Sequence, residues 1–191
     1  MNYRSLKRIE EPSYEPVSLE EIKHHIGIDD DFTADDDYLE ALIQAARISL
    51  EDRSSRTIAG SRWQMKIDFF PPRDIRLPRP PLVGNVEVWY VPVGATEHVQ
   101  YEDFVVDADA TPGVIRPNWN AYWPQARGAE NDVIITYDAG YSNPPVGAKN
   151  CILLLGAHWY ANREAASPGG MNTVPMSFDI LFSTINWGAY S

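Results

Sequence analysis

The hydrophobic period changes twice along the chain. Leu19, Ile22 and Ile26 fall on one helical face, and Ser18 with Glu21 forms a capping-box pattern in which hydroxyl and carboxylate satisfy opposite orphan amides. This predicts a short first helix that ends near Gly27. Leu39, Leu42, Ile43, Ala46 and Leu50 then repeat at 3.6 residues, with Thr33 or Asp35 as the cap and Arg47, Arg53 and Arg56 toward the negative end of the dipole. From Arg62 the period is two: Trp63, Met65, Ile67 and Phe69 alternate with Arg62, Gln64, Lys66 and Asp68 until Pro71 and Pro72. Strand-like runs follow at 74–77, 86–91, 98–101, 104–107, 114–116 and 132–137, separated by Pro81, Gly94, Gly113 and Gly140. Beyond Pro144 and Pro145 a helical pattern runs through Ile152, Leu155 and Trp159 to about Arg163, apolar around much of its circumference and so expected to be buried on several sides.

The order of these elements predicts an α+β fold. Two N-terminal helices and a long C-terminal helix make a small helical domain, into which an antiparallel β unit is inserted at about 62–141. Residues 1–17, with Pro12 and Pro16, read as an extended leader whose order needs a partner; 18–166 form the domain, and 167–191 an extended C-terminal arm. Leu39, Leu42, Ile43 and Ala46 are expected to meet Ile152, Leu155 and Trp159, since the β unit alone leaves each helix with an uncovered apolar face. In the arm, Pro168, Gly169 and Gly170 form a joint, and Phe178, Ile180, Leu181, Phe182, Ile185 and Trp187 are too apolar to be left in water, which makes them candidate docking residues.

Composition narrows the function classes. The chain of 191 residues has a formal charge of −11, from 27 acidic against 16 basic residues, which argues against a phosphate-binding surface spread over the molecule. Cys151 is the single cysteine, so neither an intramolecular disulfide nor a paired-cysteine zinc site is available, and a reducing cytoplasm suits assembly. No secretory signal and no apolar run of roughly 20 residues is present, so a soluble protein without a membrane segment is expected.

Candidate chemistry is sparse. Asp29, Asp31, Thr33, Asp35, Asp37 and Glu40 are spaced like a calcium loop, but Ala34 occupies the place of the turn glycine, and acids ahead of a helix answer to its dipole. His24, His25, His98 and His158 include no pair at four-residue spacing; His158 is expected to be a hydrogen-bonded structural histidine and Cys151 a small buried hydrophobe. Neither a Gly-x-Ser-x-Gly elbow nor a phosphate-cradling loop occurs. The expectation is therefore no catalytic residues, no metal and no cofactor. Trp89, Tyr90, Trp119, Tyr122 and Trp123 suit either stacking platforms of a carbohydrate-binding or other recognition module, or core packing and subunit contacts.

Several segments resemble the head-to-tail connector (adaptor) family of long-tailed phages and of phage-derived gene transfer agents. They are Glu15-Pro-Val-Ser-Leu-Glu-Glu-Ile22, Tyr38-Leu-Glu-Ala-Leu-Ile43 with Ala45-Ala-Arg47, Leu77-Pro-Arg-Pro-Pro-Leu82, Tyr137-Asp-Ala-Gly-Tyr141, and Ile152-Leu-Leu-Leu155 with His158-Trp-Tyr-Ala-Asn-Arg-Glu164. Their order and spacing cover most of the chain. The resemblance implies a structural virion protein and no enzyme: a homo-oligomeric ring of twelve subunits between the portal and the tail-completion or stopper proteins, with DNA passing through its channel without specific binding. The acidic charge then either lets DNA slide or simply keeps the protein soluble.

Overall fold

The computed structural model describes residues 3–162, in two compact units, so the C-terminal joint and Phe178, Ile180, Leu181, Phe182, Ile185 and Trp187 lie outside the described residues. The first unit joins the N-terminal residues up to Ser13 to Gly60–Tyr141; the second comprises Tyr14–Ala59 and the described residues from Ser142 onward.

The β unit is built from β1 (Ser5–Glu10), β2 (Ser61–Ile67), β3 (Ile75–Arg76), β4 (Leu82–Tyr90), β5 (Val99–Tyr101), β6 (Phe104–Asp107), β7 (Val114–Pro117) and β8 (Val133–Ala139). Every pairing is antiparallel, in a five-stranded sheet of order β1-β2-β8-β4-β5 and a three-stranded sheet of order β3-β7-β6. At the centre Trp63 faces Tyr137, Met65 faces Ile135 and Ile67 faces Val133. Their strict alternation of buried and half-buried positions delivers one face to a core shared with Ile75, Leu77, Leu82, Val88 and Ile115. The two-residue period thus predicts β2 well, but not its end. The strand stops at Ile67 and leaves Phe69 67% exposed, while Phe70 turns inward.

Residues 5–10, read as a leader needing a partner, find that partner in the chain itself: β1 adds to the edge of β2, with Leu6 opposite Met65 and packed against the core. Its charges concealed it, because an edge strand has one covered flank and tolerates residues such as Lys7, Arg8 and Glu10 elsewhere. The Arg8 guanidinium lies 4.9 Å from the Trp63 ring centroid, spreading its charge over the aromatic face.

The helical unit contains α1 (Leu19–Ile26), α2 (Asp36–Ser54) and α3 (Val146–Ala161). Ser18 and Glu21 form the capping box, Glu21 N–H donating to Ser18 Oγ at 3.1 Å and Ser18 N–H to Glu21 Oε2 at 2.8 Å. Gly27 takes the left-handed conformation that ends α1 (φ 75°). Asp35, not Thr33, occupies the cap of α2. The anticipated α2–α3 packing is present: Leu39, Leu42, Ile43, Ala46 and Leu50 are buried, as are Cys151, Ile152 and Leu155, whereas Trp159 is only half-buried. Gly156 permits close approach of α1, since a Cβ there would sit 2.8 Å from Ile22 Cδ1.

Candidate assembly interface

In the helical unit the arrangement starts from a buried charge. Arg47, 1% exposed, forks onto Glu15, with Nε to Oε2 at 2.7 Å and Nη2 to Oε1 at 3.0 Å, and donates through Nη1 to Glu51 Oε2 at 3.0 Å. Burial opposes its charge, yet hydrogen bonding to Glu15 and the field of Glu51 outweigh this and raise its pKa. Glu51 also accepts the backbone N–H of Ile58 at 2.7 Å and of Ala59 at 3.3 Å. Glu15 lies one residue past the point where the chain enters the unit, and Ala59 is the last residue before it leaves. Arg47 and Glu51 therefore tie down the first entry and the exit of the chain from inside the unit. No local sequence pattern signals this, because Glu15 and Arg47 are 32 residues apart.

The segments that carry the family resemblance meet in pairs. Glu15 meets Arg47 as above. Tyr160 donates to Asp35 Oδ2 at 2.6 Å, and its ring centroid lies 6.2 Å from that of Tyr38. In the β unit the Tyr137 hydroxyl donates to the Pro78 carbonyl at 2.8 Å, with burial pushing its pKa up, and Gly140 N–H donates to Pro81 O at 2.9 Å. These residues position the scaffold and form no reactive constellation.

The acidic run at 29–40 is divided among other tasks. Asp35 receives Tyr160, and Asp36 Oδ1 lies 2.6 Å from Lys23 Nζ. Asp29 and Asp31, with Ile28, Phe32 and Tyr160, line an open cleft of about 500 Å³. Among the described residues, no group of three or more His, Cys, Asp or Glu side chains is placed to hold a metal ion. His24, His25 and His98 are exposed; His158 is half-buried with its Nδ1 3.3 Å from Asn162 Nδ2. Cys151 is fully buried, and desolvation pushes its thiol up to about 11, leaving it protonated and inert. No helix among the described residues is long and apolar enough to cross a membrane.

The aromatic residues Trp89, Tyr90, Trp119, Tyr122 and Trp123 separate into different environments. Trp123 stacks on Phe70 with centroids 5.0 Å apart and planes 5° from parallel, in a cluster with Tyr90, Tyr101 and Phe104. Trp89 is half-buried, its indole N–H 3.4 Å from Glu87. Trp119 and Tyr122 stand in solvent, 91% and 88% exposed. Their loop is braced beneath them: Asn118 Nδ2 donates to Asp103 Oδ1 at 2.7 Å, Ala121 N–H to Asn118 O at 2.9 Å, and Trp123 Nε1–H to Arg73 O at 2.7 Å. The stretch falls between the strand-like runs at 114–116 and 132–137, and the sequence did not distinguish its inward aromatics from its outward ones.

Comparison with known proteins adds the following. The family model for the phage gp6-like head-tail connector protein matches residues 16–77, from the segment after Glu15 through α1, α2 and β2 to the end of β3. A chain from the neck of an empty gene transfer agent particle computed with C6 symmetry is 19% identical, with a TM-score of 0.76 and 95% of each chain covered. A chain from the virion of a native gene transfer agent particle gives the same identity and score over 95% of this chain and 94% of that one. One from the neck of a native particle computed with C12 symmetry gives 18% and 0.73 over 95% and 94%. The fold is thus shared over nearly the whole chain. No curated protein sequence matches.

Proposed function

We propose that this chain, whose residues 16–77 carry the head-tail connector pattern and whose fold is that of gene transfer agent neck proteins, is a structural connector subunit of a tailed-phage or related particle. The observation that carries the reading is the coincidence of these two matches on one chain, the family match on α1, α2, β2 and β3, the fold match on 95% of the whole. In this role the chain forms a ring, twelve subunits in the virion, between portal and tail-completion proteins, after synthesis and assembly in the host cytoplasm. The engagements of Asp35, Asp36 and Cys151 described above fit a scaffold rather than an enzyme. The charge of −11 suits a channel wall along which a DNA backbone slides, because like charge prevents adhesion. Phe178, Ile180, Leu181, Phe182, Ile185 and Trp187 supply the apolar arm that docks on a neighbouring subunit or the portal. No observation favours the carbohydrate-binding alternative.

The test is genetic and structural. Particles made without this chain should accumulate as DNA-filled heads lacking tails, and electron microscopy of complemented particles should place the chain in the neck. Normally tailed particles in its absence overturn the proposal. Truncation after Ser167 should leave a folded chain that no longer joins portal-bearing heads; attachment at the normal level removes the arm from the assembly scheme.

A further inference from the structure

We infer that Trp119 and Tyr122 form a knob that seats in the cleft lined by Ile28, Asp29, Asp31, Phe32 and Tyr160 of an adjacent copy of this chain, making a head-to-tail contact of the ring. The inference rests on the connector reading above.

Four observations carry it. First, two large aromatic side chains about nine-tenths exposed are a strong departure from the usual surface, and their loop is held by hydrogen bonds and by the Trp123–Phe70 stack rather than left slack. Such a knob loses little conformational entropy when it docks. Second, Pro117 to Ala126 contains no charged residue in a chain of formal charge −11. Two acidic copies therefore meet there without placing carboxylate against carboxylate. Third, the chemistry of the cleft is complementary: Ile28, Phe32 and Tyr160 offer apolar and ring surface, while Asp29 and Asp31 are acceptors for an indole N–H and a phenol O–H. A cleft of about 500 Å³ has room for an aromatic side chain. Fourth, knob and cleft are different patches of one chain, the loop in the β unit and the cleft in the helical unit. A protrusion that fits a pocket elsewhere on the same molecule makes a heterologous contact, which closes into a ring when its rotation divides a full turn. The related necks were computed with C6 and C12 symmetry.

Particles assembled with photoreactive benzoylphenylalanine in place of Tyr122 test this. Irradiation should yield a ladder of covalent multimers of this chain, and mass spectrometry should map the partner peptides to residues 28–32 or to Tyr160. Cross-links to another particle protein, to other parts of this chain, or none from a chain present in the neck overturn the inference and leave the connector reading standing. A chain absent from the neck overturns both. As a second arm, the double variant Trp119→Ala with Tyr122→Ala should melt as the wild type does, because both side chains are in solvent, while its recovery in the neck falls by roughly tenfold or more. Undiminished recovery also overturns the inference.

Discussion

In the helical unit a guanidinium sits among the helices, whereas in the β unit the interior is almost wholly hydrocarbon. Among the described residues Lys23, Arg47, Glu51 and Arg56 are buried in the former, and Asp132 is the buried charged residue of the latter. The two units face different problems of specification. Antiparallel ladders fix register in the sheets, since a one-residue slip would send Trp63, Met65 and Ile67 to the wrong face. Apolar helix faces accept sliding more readily, and directional ion pairs such as Arg47 with Glu15 and Glu51 restrict it. Buried ions are costly where their partners are incomplete, so the contrast is measurable.

The largest effect should come from Arg47→Ala. It removes the guanidinium from the buried Glu51 carboxylate and from Glu15, and is expected to cost about 3–5 kcal/mol, the range for breaking a buried pair. Arg62→Ala in the β unit removes a half-buried guanidinium from Glu87 and Asp138 and should cost about 1 kcal/mol. Denaturant midpoints of the two variants decide this. Equal shifts would mean that buried charge has no special weight in the helical unit.

Glycine substitutions sharpen the comparison at close approaches. A Cβ at Gly113 would lie 2.7 Å from Leu82 Cβ and 2.8 Å from its Cδ2, and a Cβ cannot swing aside without moving its strand. Gly113→Ala should therefore destabilise by about 1–3 kcal/mol, the usual cost of overpacking. At Gly156 the obstacle is Ile22 Cδ1, the tip of a flexible side chain, and alanine gains about 1 kcal/mol of helix propensity. Gly156→Ala should leave the melting temperature nearly unchanged. A larger loss at Gly156 than at Gly113 would reverse the ranking of rigidity.

How much of this was legible in the sequence depended on the range of the cause. Helix and strand periods, the Ser18–Glu21 box and the α2–α3 contact are written in residues a few positions apart or in broad apolar faces, and they predict the α+β architecture. β1 was missed because edge strands need no clean alternation. Long-range polar partners such as Glu15 and Arg47 leave no periodic trace, so the network that holds the chain near Glu15 and Ala59 was invisible. The cleft was hidden for a similar reason: Phe32 and Tyr160 are far apart in the sequence, and Asp29 and Asp31 beside Phe32 read as a dipole complement or a calcium loop.

Acid should probe one carboxylate in each unit. Asp132 is held below the ordinary aspartate range, chiefly by hydrogen bonding to Arg127, with Ala129 N–H also donating to it at 2.6 Å. Glu21 is held low chiefly by the Ser18 N–H, with help from Lys149. A carboxylate whose folded pKa is depressed adds stability that is complete above its unfolded pKa, about 4 for both types, and is lost as pH falls through the folded value. The melting gap between wild type and Asp132→Asn should be constant above about pH 5 and close at lower pH. Glu21→Gln should behave alike with a smaller gap, its carboxylate being more exposed. A gap that widens on acidification contradicts both assignments.

The smallest expected effect on stability separates neighbours within one loop. Trp119 and Tyr122 project into solvent, and their side chains bury almost no area within the chain, so truncating both to alanine should shift unfolding by less than about 0.5 kcal/mol. Trp123, one residue further on, stacks on Phe70 and donates its indole N–H to Arg73 O. If the β unit were stabilised by its aromatic content as such, the three positions would respond alike. If its stability follows contact area, Trp119 and Tyr122 are silent in isolated protein and reserved for contacts that the monomer does not make. Calorimetry of the Trp119→Ala, Tyr122→Ala double variant makes the distinction, and a loss above about 1 kcal/mol would place the loop tip in the fold of the monomer and remove it from the set of assembly surfaces.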